Sequence, residues 1–386
     1  MAKKSTPEPT KQAKTKGVAK KSIPKANNTE KLVEVRQQID SLDQQIQSLI
    51  TERANWAHKV RAAKGDLKAA VEYYRPERES QILRRVLDRN EGPLSNEVLL
   101  RLFREIMSAC LAQQEPLKVG YLGPEGTFSQ QALHKHFGHS AQSLPLASIE
   151  EVFQEIESGH ADFGVVPVEN SGQGTIQSTL DMFLTSKLKI CGEVELRVHQ
   201  HLLSRTGRME DIERVYSHPQ SLAQCKAWLR QHLPHADKIP VASNAEAARR
   251  ARVADDCAAI AGETAGYVYG LKVIAGPIED RQDNTTRFLV IGREFFTPSG
   301  HDRTSLLVYV RDQPGALYNV LSPFAKYGVS MNRIESRPAH SGRWQYVFFI
   351  DVSGHIEDEN VSSAMSELGE YAADVHVLGS YPVALI

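Results

Sequence analysis

LVEVRQQIDSLDQQIQSLITERANWAHKVRAAK, residues 32–64, places apolar side chains at Leu32, Val35, Ile39, Leu42, Ile46 and Leu49, in steps of three and four. That spacing is the stripe of a long amphipathic helix. The next position on the stripe is Arg53, after which apolar residues return at Trp56 and Val60. A guanidinium in an apolar seam is costly unless it is paired or faces an anion. Arg36 stands 17 positions earlier, about 25 Å along the axis, too far for one small ligand to bridge on a single helix. Two readings are open. One is an ordinary bundle helix whose Arg53 snorkels or pairs with a glutamate. The other is a helix that grips a small anion together with Arg36 of an antiparallel second copy, which makes the chain a homodimer with shared sites. In that reading Lys64, on nearly the same face as Arg53 and about 16 Å further on, reaches back toward the same ligand.

Beyond a turn at Gly65 and Asp66, Pro76 suits the first turn of a second helix running to about Asn90. Gly92-Pro93 interrupts it, and Ser95 can cap a third helix with Leu99, Leu102, Ile106 and Cys110 on one stripe. Three helices give too thin a core to cover one long helix alone, so a helix of another chain is expected to cover it. From Leu117 the period changes. Strands at 118–122, 163–168, 214–216 and 258–261 each run into a polar loop: Gly123 to Ser129, Glu169 to Gly172, Ser217-His218-Pro219-Gln220, and Gly262-Glu263. Strands alternating with helices predict an open, largely parallel sheet with ligands at the carboxyl ends of its strands. Residues 304–383 read as βαββαβ, the ferredoxin-like order, in which a small module after a larger domain is a sensor or assembly unit by fold analogy.

At 386 residues, with 41% hydrophobic and 24% charged content, the chain has room for two or three ordinary globular domains. Its net charge of −1 conceals a tail, residues 1–29, with eight lysines and one glutamate, predicted to be disordered. The remainder carries −8, which argues against nucleic acid as a partner. No run approaches a membrane span or a secretory h-region, and Cys110, Cys191, Cys225 and Cys257 form no C-x-x-C pair, so a reducing cytoplasm is expected. Gly172-x-Gly174 lacks the third glycine of a dinucleotide fingerprint. His199 and His201 would share one face of a strand without a third ligand, and His134, His136 and His139 read as a solvated helix end. Neither metal nor cofactor is expected.

Several motifs in this order resemble the bifunctional chorismate mutase-prephenate dehydratases over everything after the tail. Arg36, Arg53, Lys64, Arg78-Glu79 and Gln114 match the mutase pattern. Gly123-Pro124-x-Gly126-Thr127-Phe128-Ser129, Pro167-x-Glu169-Asn170-Ser171, Ser217-His218-Pro219-Gln220 and Asn284-Thr285-Thr286-Arg287-Phe288 match the dehydratase. Gly315-Ala316-Leu317 and Glu335-Ser336-Arg337-Pro338 match the phenylalanine-binding ACT domain. The resemblance implies an all-α chorismate mutase domain at 30–115, a two-lobed α/β dehydratase domain like the periplasmic binding proteins at 116–297, and an α+β ferredoxin-like ACT domain at 303–383.

It also implies roles. Arg53 and the partner subunit's Arg36 would hold the carboxylates of chorismate, Lys64 and Gln114 would donate to its ether oxygen, and Glu79 would accept its ring hydroxyl. Arg78 and Cys110 would contact it too, although Cys110 stands where some relatives have a hydroxyl residue. Thr286 would be the essential group at the departing hydroxyl of prephenate, with Glu169 as a proton source. Thr127, Ser129, Asn170, Ser171 and Arg287 would hold the substrate. Gly315, Ala316 and Leu317 would meet L-phenylalanine, and Glu335, Ser336, Arg337 and Pro338 would line an interface with another copy. A rival reading is a non-enzymatic regulator: an amino-acid-sensing, two-lobed binding body with a helical dimeriser. It leaves Arg53 unexplained.

Overall fold

The computed structural model describes residues 26–64, 74–113, 115–172, 174–311, 313–338 and 346–385, and the chain divides into units 1–56 and 57–386. The described residues of the first unit, 26–56, are all helical. Helix α1 (Ala26–Lys64) runs unbroken past the cation in its stripe. Leu32, Val35, Ile39, Leu42, Ile46 and Leu49 are all more than half exposed, so the expected apolar stripe exists and is uncovered. Arg53 on the same helix is half-buried and Arg36 exposed. The lysine-rich tail lies, through residue 25, outside the described residues.

The second unit takes in the end of α1 from Ala57 and continues with α2 (Pro76–Asp88) and α3 (Asn96–Ala112). Pro76 and the acids Glu77 and Glu79 suit the first turn of α2, where a carboxylate meets the positive end of the helix dipole. Ser95 caps α3 as expected, its Oγ accepting from the Val98 N–H at 3.4 Å.

The chain then builds two lobes. The first holds β1 (Lys118–Leu122), α4 (Phe128–Phe137), β2 (Gln142–Leu146), α5 (Ile149–Glu157), β3 (Phe163–Asn170), β4 (Gly174–Thr175), α6 (Gln177–Phe183) and β5 (Lys189–Arg197). The second holds β6 (His201–Ser204), β7 (Arg214–Ser217), α7 (Pro219–Gln224), α8 (Lys226–His232), β8 (Asp237–Pro240), α9 (Asn244–Ala251), β9 (Cys257–Ala261), α10 (Glu263–Tyr269) and β10 (Lys272–Ala275). The chain returns as β11 (Thr285–Gly292), which lies between β3 and β5 in the first sheet. The sheets are therefore two and mixed, not one and largely parallel. Pairs β1–β2, β1–β3, β7–β8 and β7–β9 are parallel, whereas β11 runs antiparallel to β3 and β5, and β6 antiparallel to β9 and β10. Local alternation of strands and helices gives no sign of a strand that comes home after a whole lobe.

The third module follows as β12 (Asp302–Val310), α11 (Ala316–Lys326), β13 (Met331–Pro338), β14 (Tyr346–Ser353), α12 (Glu359–Tyr371) and β15 (Asp374–Pro382), in sheet order β13-β14-β12-β15. This is the ferredoxin-like arrangement. One face, with Val308, Phe348 and Ile350, packs under α11 and α12. The other, with Leu307, Val347 and Phe349, joins Val166, Val168, Leu289 and Ile291 of the first lobe in one core. At Gly379 the backbones meet: a Cβ there would stand 2.1 Å from the Ile190 carbonyl oxygen.

Among the described residues no helix is long and apolar enough to cross a membrane, and no group of three His, Cys, Asp or Glu is placed to hold a metal. His199 lies between β5 and β6 rather than on a strand with His201, and its Nδ1 meets Glu279 at 2.8 Å. His136 is half-buried rather than solvated, with Nε2 at 2.9 Å from the Tyr74 hydroxyl.

Candidate active site

A cavity of about 440 Å³ lies between the two lobes. Its first wall is the loop after β1 (Gly123, Gly126, Thr127), the start of α4 (Phe128, Ser129), the end of β3 (Asn170), and Asn284 and Thr286 at the start of β11. Its second wall is His218, Gln220, Ser221 and Gln224 around α7, with Ser243 and Asn244 at the start of α9. Val198 and Gln200, on the crossing between lobes, complete it. Apart from the start of β11, most of these are carboxyl ends of strands and starts of helices, where the positive end of the helix dipole favours a negative ligand. Gly126 has φ +83° and comes close enough to α10 that a Cβ would stand 3.1 Å from the Ala265 Cα, so the loop needs glycine both for its conformation and for this approach. No Lys, Arg, Asp or Glu lines the cavity, and His218 is its one titratable side chain among the described residues. The Gln220 N–H points at the His218 Nδ1 at 3.3 Å, so neutral His218 carries its proton on Nε2.

Asn170 and Thr286 stand opposite each other in the β3–β11 ladder. The Asn170 amide is oriented by the Gly172 N–H, which donates to Oδ1 at 3.0 Å. Nδ2 therefore donates, to Thr286 Oγ1 at 2.8 Å and to Asn284 Oδ1 at 3.0 Å. Both residues are buried. With its oxygen accepting, the Thr286 hydroxyl is set to donate its own proton into the cavity. A bulge creates this pairing. Arg287 is opposite Glu169 but Phe288 is opposite Pro167, so β3 carries Val168 as an extra residue beside the pair.

Glu169 and Arg287, expected at the substrate, are on the far side of the same two strands. Arg287 donates from Nε to Glu193 (2.8 Å), from Nη1 to Asp351 (2.7 Å) and from Nη2 to the Tyr381 hydroxyl (3.0 Å), and its side chain is 11% exposed. Burial opposes its charge, but the field of Tyr381, Asp351 and Glu193 more than offsets this and its pKa is raised. Glu169 meets Arg333 of β13 at 3.6 Å. Neither side chain lines the cavity, because strand alternation points Arg287 away from Thr286 and the bulge turns Glu169 with it. Ser171 lines a second cavity of about 510 Å³ with Asp280, Arg281 and Asp283, its hydroxyl donating to the Asp283 carbonyl at 3.3 Å. Thr127 caps α4 and donates to the Leu122 carbonyl at 3.2 Å, fixing the loop, while Ser129 is buried on the wall.

Of the residues expected to meet chorismate, Glu79 lies 3.8 Å from the Arg104 Nε, Arg78 is exposed and Cys110 is buried. Lys64 ends α1, but its side chain, like Gln114, lies outside the described residues. In the third module Gly315 has φ +80°, a left-handed conformation that favours glycine, and begins α11 ahead of half-buried Ala316 and exposed Leu317. Glu335 and Arg337 turn toward the first lobe of their own chain, where Thr175 donates to Glu335 at 3.0 Å and Arg337 pairs with Asp181. Ser336 and Pro338 alone of that segment are exposed. His218, Gln220 and Asn284 were legible as motif residues without a role. Gln200, Ser221 and Asn244 carry no motif signal, since only the return of the chain across the lobes brings them here.

The cleft and the modules around it define a two-lobed α/β enzyme body with a helical segment before it and a ferredoxin-like module after it. The family Chorismate mutase type II matches residues 35–115, Prephenate dehydratase 119–295 and ACT domain 304–370. The bifunctional chorismate mutase/prephenate dehydratase of Stutzerimonas stutzeri is 50% identical over 364 residues, covering 93% of this chain and 100% of that one. The chain belongs to the family of bifunctional chorismate mutase/prephenate dehydratases. The relative of the same description from Pseudomonas aeruginosa is 49% identical, over 92% of this chain and 99% of its own. Among solved structures, prephenate dehydratase in complex with L-Phe from Arthrobacter aurescens is 35% identical with TM-score 0.64, covering 69% of this chain and 90% of that one.

Proposed function

We propose that residues 30–115 rearrange chorismate to prephenate, that the cleft within 116–297 converts prephenate to phenylpyruvate, and that module 303–383 binds L-phenylalanine and restrains the pathway's flux. The first reaction is a pericyclic shift. It needs no nucleophile, only a substrate held in compact form and charge stabilised on the ether oxygen. Arg53, Lys64 and Gln114 serve that end together with the partner subunit's Arg36. The chain works as a homodimer, for which the support is the uncovered stripe of α1 from Leu32 to Leu49. Its four cysteines are buried free thiols, which suits the reducing cytoplasm.

In the second reaction the bond from the ring to its carboxylate breaks to release carbon dioxide. That electron pair completes the aromatic ring, and the ring hydroxyl leaves, taking up a proton as water. The single observation that carries this reading is the Asn170–Thr286 couple, which aims an O–H donor into the cavity. A threonine is far too weak an acid to surrender its proton alone, so it stabilises the departing oxygen by hydrogen bonding while the proton comes from another group. His218, the one titratable side chain among the described residues of the cavity wall, would supply that proton as an imidazolium, in place of Glu169.

The test is a two-stage assay. Wild type fed chorismate yields phenylpyruvate. Arg53→Gln fails on chorismate but still converts supplied prephenate, and Thr286→Ala accumulates prephenate with turnover down by about 10²–10³. Phenylpyruvate formed by Thr286→Ala at the wild-type rate would sink the assignment.

A further inference from the structure

Among the described residues no Lys or Arg side chain lines the cavity that is to hold a dianion, so neutral donors on its walls carry that task. On the second lobe one hydroxyl is prepared for it. Asn244 Oδ1 accepts from the His218 backbone N–H at 3.1 Å, which fixes the amide, and Nδ2 then donates to Ser221 Oγ at 2.9 Å. Gln200 Nε2 donates to the same oxygen at 3.1 Å. Both acceptor positions of Ser221 are thereby filled, and what remains is its O–H. That proton has no acceptor among the described residues, although Ser221 is 4% exposed and lines the cavity. The arrangement mirrors Asn170 and Thr286 on the other lobe: an amide fixed by a backbone N–H loads a hydroxyl oxygen and leaves its proton for the ligand.

We infer that Ser221 is the second lobe's substrate-binding donor, positioned by Asn244, and that it holds the carboxylate of the pyruvyl side chain of prephenate. This rests on the dehydratase reading, in which Thr286 faces the ring hydroxyl. The pyruvyl group and the departing carboxylate share the ring carbon opposite that hydroxyl. A donor on the departing carboxylate would stabilise charge that the reaction must withdraw. A donor on the pyruvyl carboxylate, whose charge persists into the product, binds substrate, transition state and product alike. Ser221 therefore sets KM and leaves kcat unaltered.

Steady-state kinetics on the full chain test this, with prephenate as substrate and phenylpyruvate as product inhibitor. Ser221→Ala is expected to raise KM and the phenylpyruvate inhibition constant by the same factor, about tenfold for a hydrogen bond to a charged group, with kcat within about twofold. Ser221→Thr keeps the hydroxyl and restores both constants. Asn244→Asp keeps the volume and the acceptor for His218 but draws the Ser221 proton to itself, so it should reproduce Ser221→Ala. The mutase rate with chorismate and the unfolding midpoint, both unchanged, report that the variants are folded. An unaltered KM in Ser221→Ala overturns the inference, and so does a fall in kcat with phenylpyruvate inhibition intact, which would place Ser221 on the departing carboxylate. Thr286→Ala, run alongside, separates the two claims: its failure to lose turnover removes the dehydratase reading, whereas its loss of turnover with an unaffected Ser221→Ala removes only this one.

Discussion

Arg287→Met deletes one cation from a buried cluster that joins the dehydratase body to the third module. Glu193 would keep its bond from Arg303 Nη1 at 2.5 Å and the Ala384 N–H at 3.1 Å, so it stays neutralised. Asp351 would not. It is 6% exposed, and without Arg287 its carboxylate retains, among the described residues, the Ser305 hydroxyl at 2.6 Å. Removing one partner of a buried pair costs about 3–5 kcal/mol, because the other charge is left without compensation. In a body of this size each kcal/mol moves the unfolding midpoint by roughly 2 °C, so a fall of about 6–10 °C is expected. Differential scanning calorimetry of the full chain measures it. Arg287→Met combined with Asp351→Leu should recover most of the loss, since the stranded charge is then gone. A midpoint within about 2 °C of wild type for Arg287→Met alone would refute the reasoning, for that is what an exposed ion pair gives.

Three further outcomes follow from other places in the molecule. Burial, helped by Arg104, pushes the His136 pKa down to about 3 from its ordinary 6.5, so between these values the unfolded chain binds a proton that the folded chain refuses. Stability should therefore fall as pH is lowered through that window, and His136→Gln, which can still bond Tyr74, should flatten the fall in urea titrations taken at successive pH values. Gly379→Ala forces a Cβ against the Ile190 carbonyl and should lower the midpoint and speed proteolysis of the third module, whereas Gly369→Ala, in α12 with open space around it, should gain about 0.5–1 kcal/mol. Leu42→Glu places a charge in the uncovered stripe and should sediment as a single copy where wild type sediments as a pair; an unchanged sedimentation coefficient would remove the stripe as the dimer surface.

Much of this architecture was legible before any coordinates. The three-and-four spacing from Leu32 to Leu49 forms the continuous helix it predicts, Ser95 caps the helix it precedes, and the βαββαβ order of the third module is as read. Thr286 and Asn170 were legible only through the resemblance, since a Thr-Thr-Arg run has no chemistry in isolation. Glu169 and Arg287 were expected at the substrate through the same motifs, and the structure turns both side chains away from the cleft. On a strand, neighbours point to opposite faces, and what lies behind the sheet is a module whose docking no local pattern reports. His136, likewise, is polar in sequence and half-buried in fact, because Tyr74, 62 positions away, supplies its partner.

The bulge at Val168 carries one consequence further. Were Val168 instead paired in the ladder like its neighbours, it would stand opposite Arg287, and everything after it would shift by one place against β11. The carboxylate at 169 would then stand opposite Thr286 and look into the cleft, and the amide at 170 would look out toward the third module. Which chemistry this wall presents is thus decided by the parity of a count, and one residue looped out of the ladder sets the address of each side chain after it.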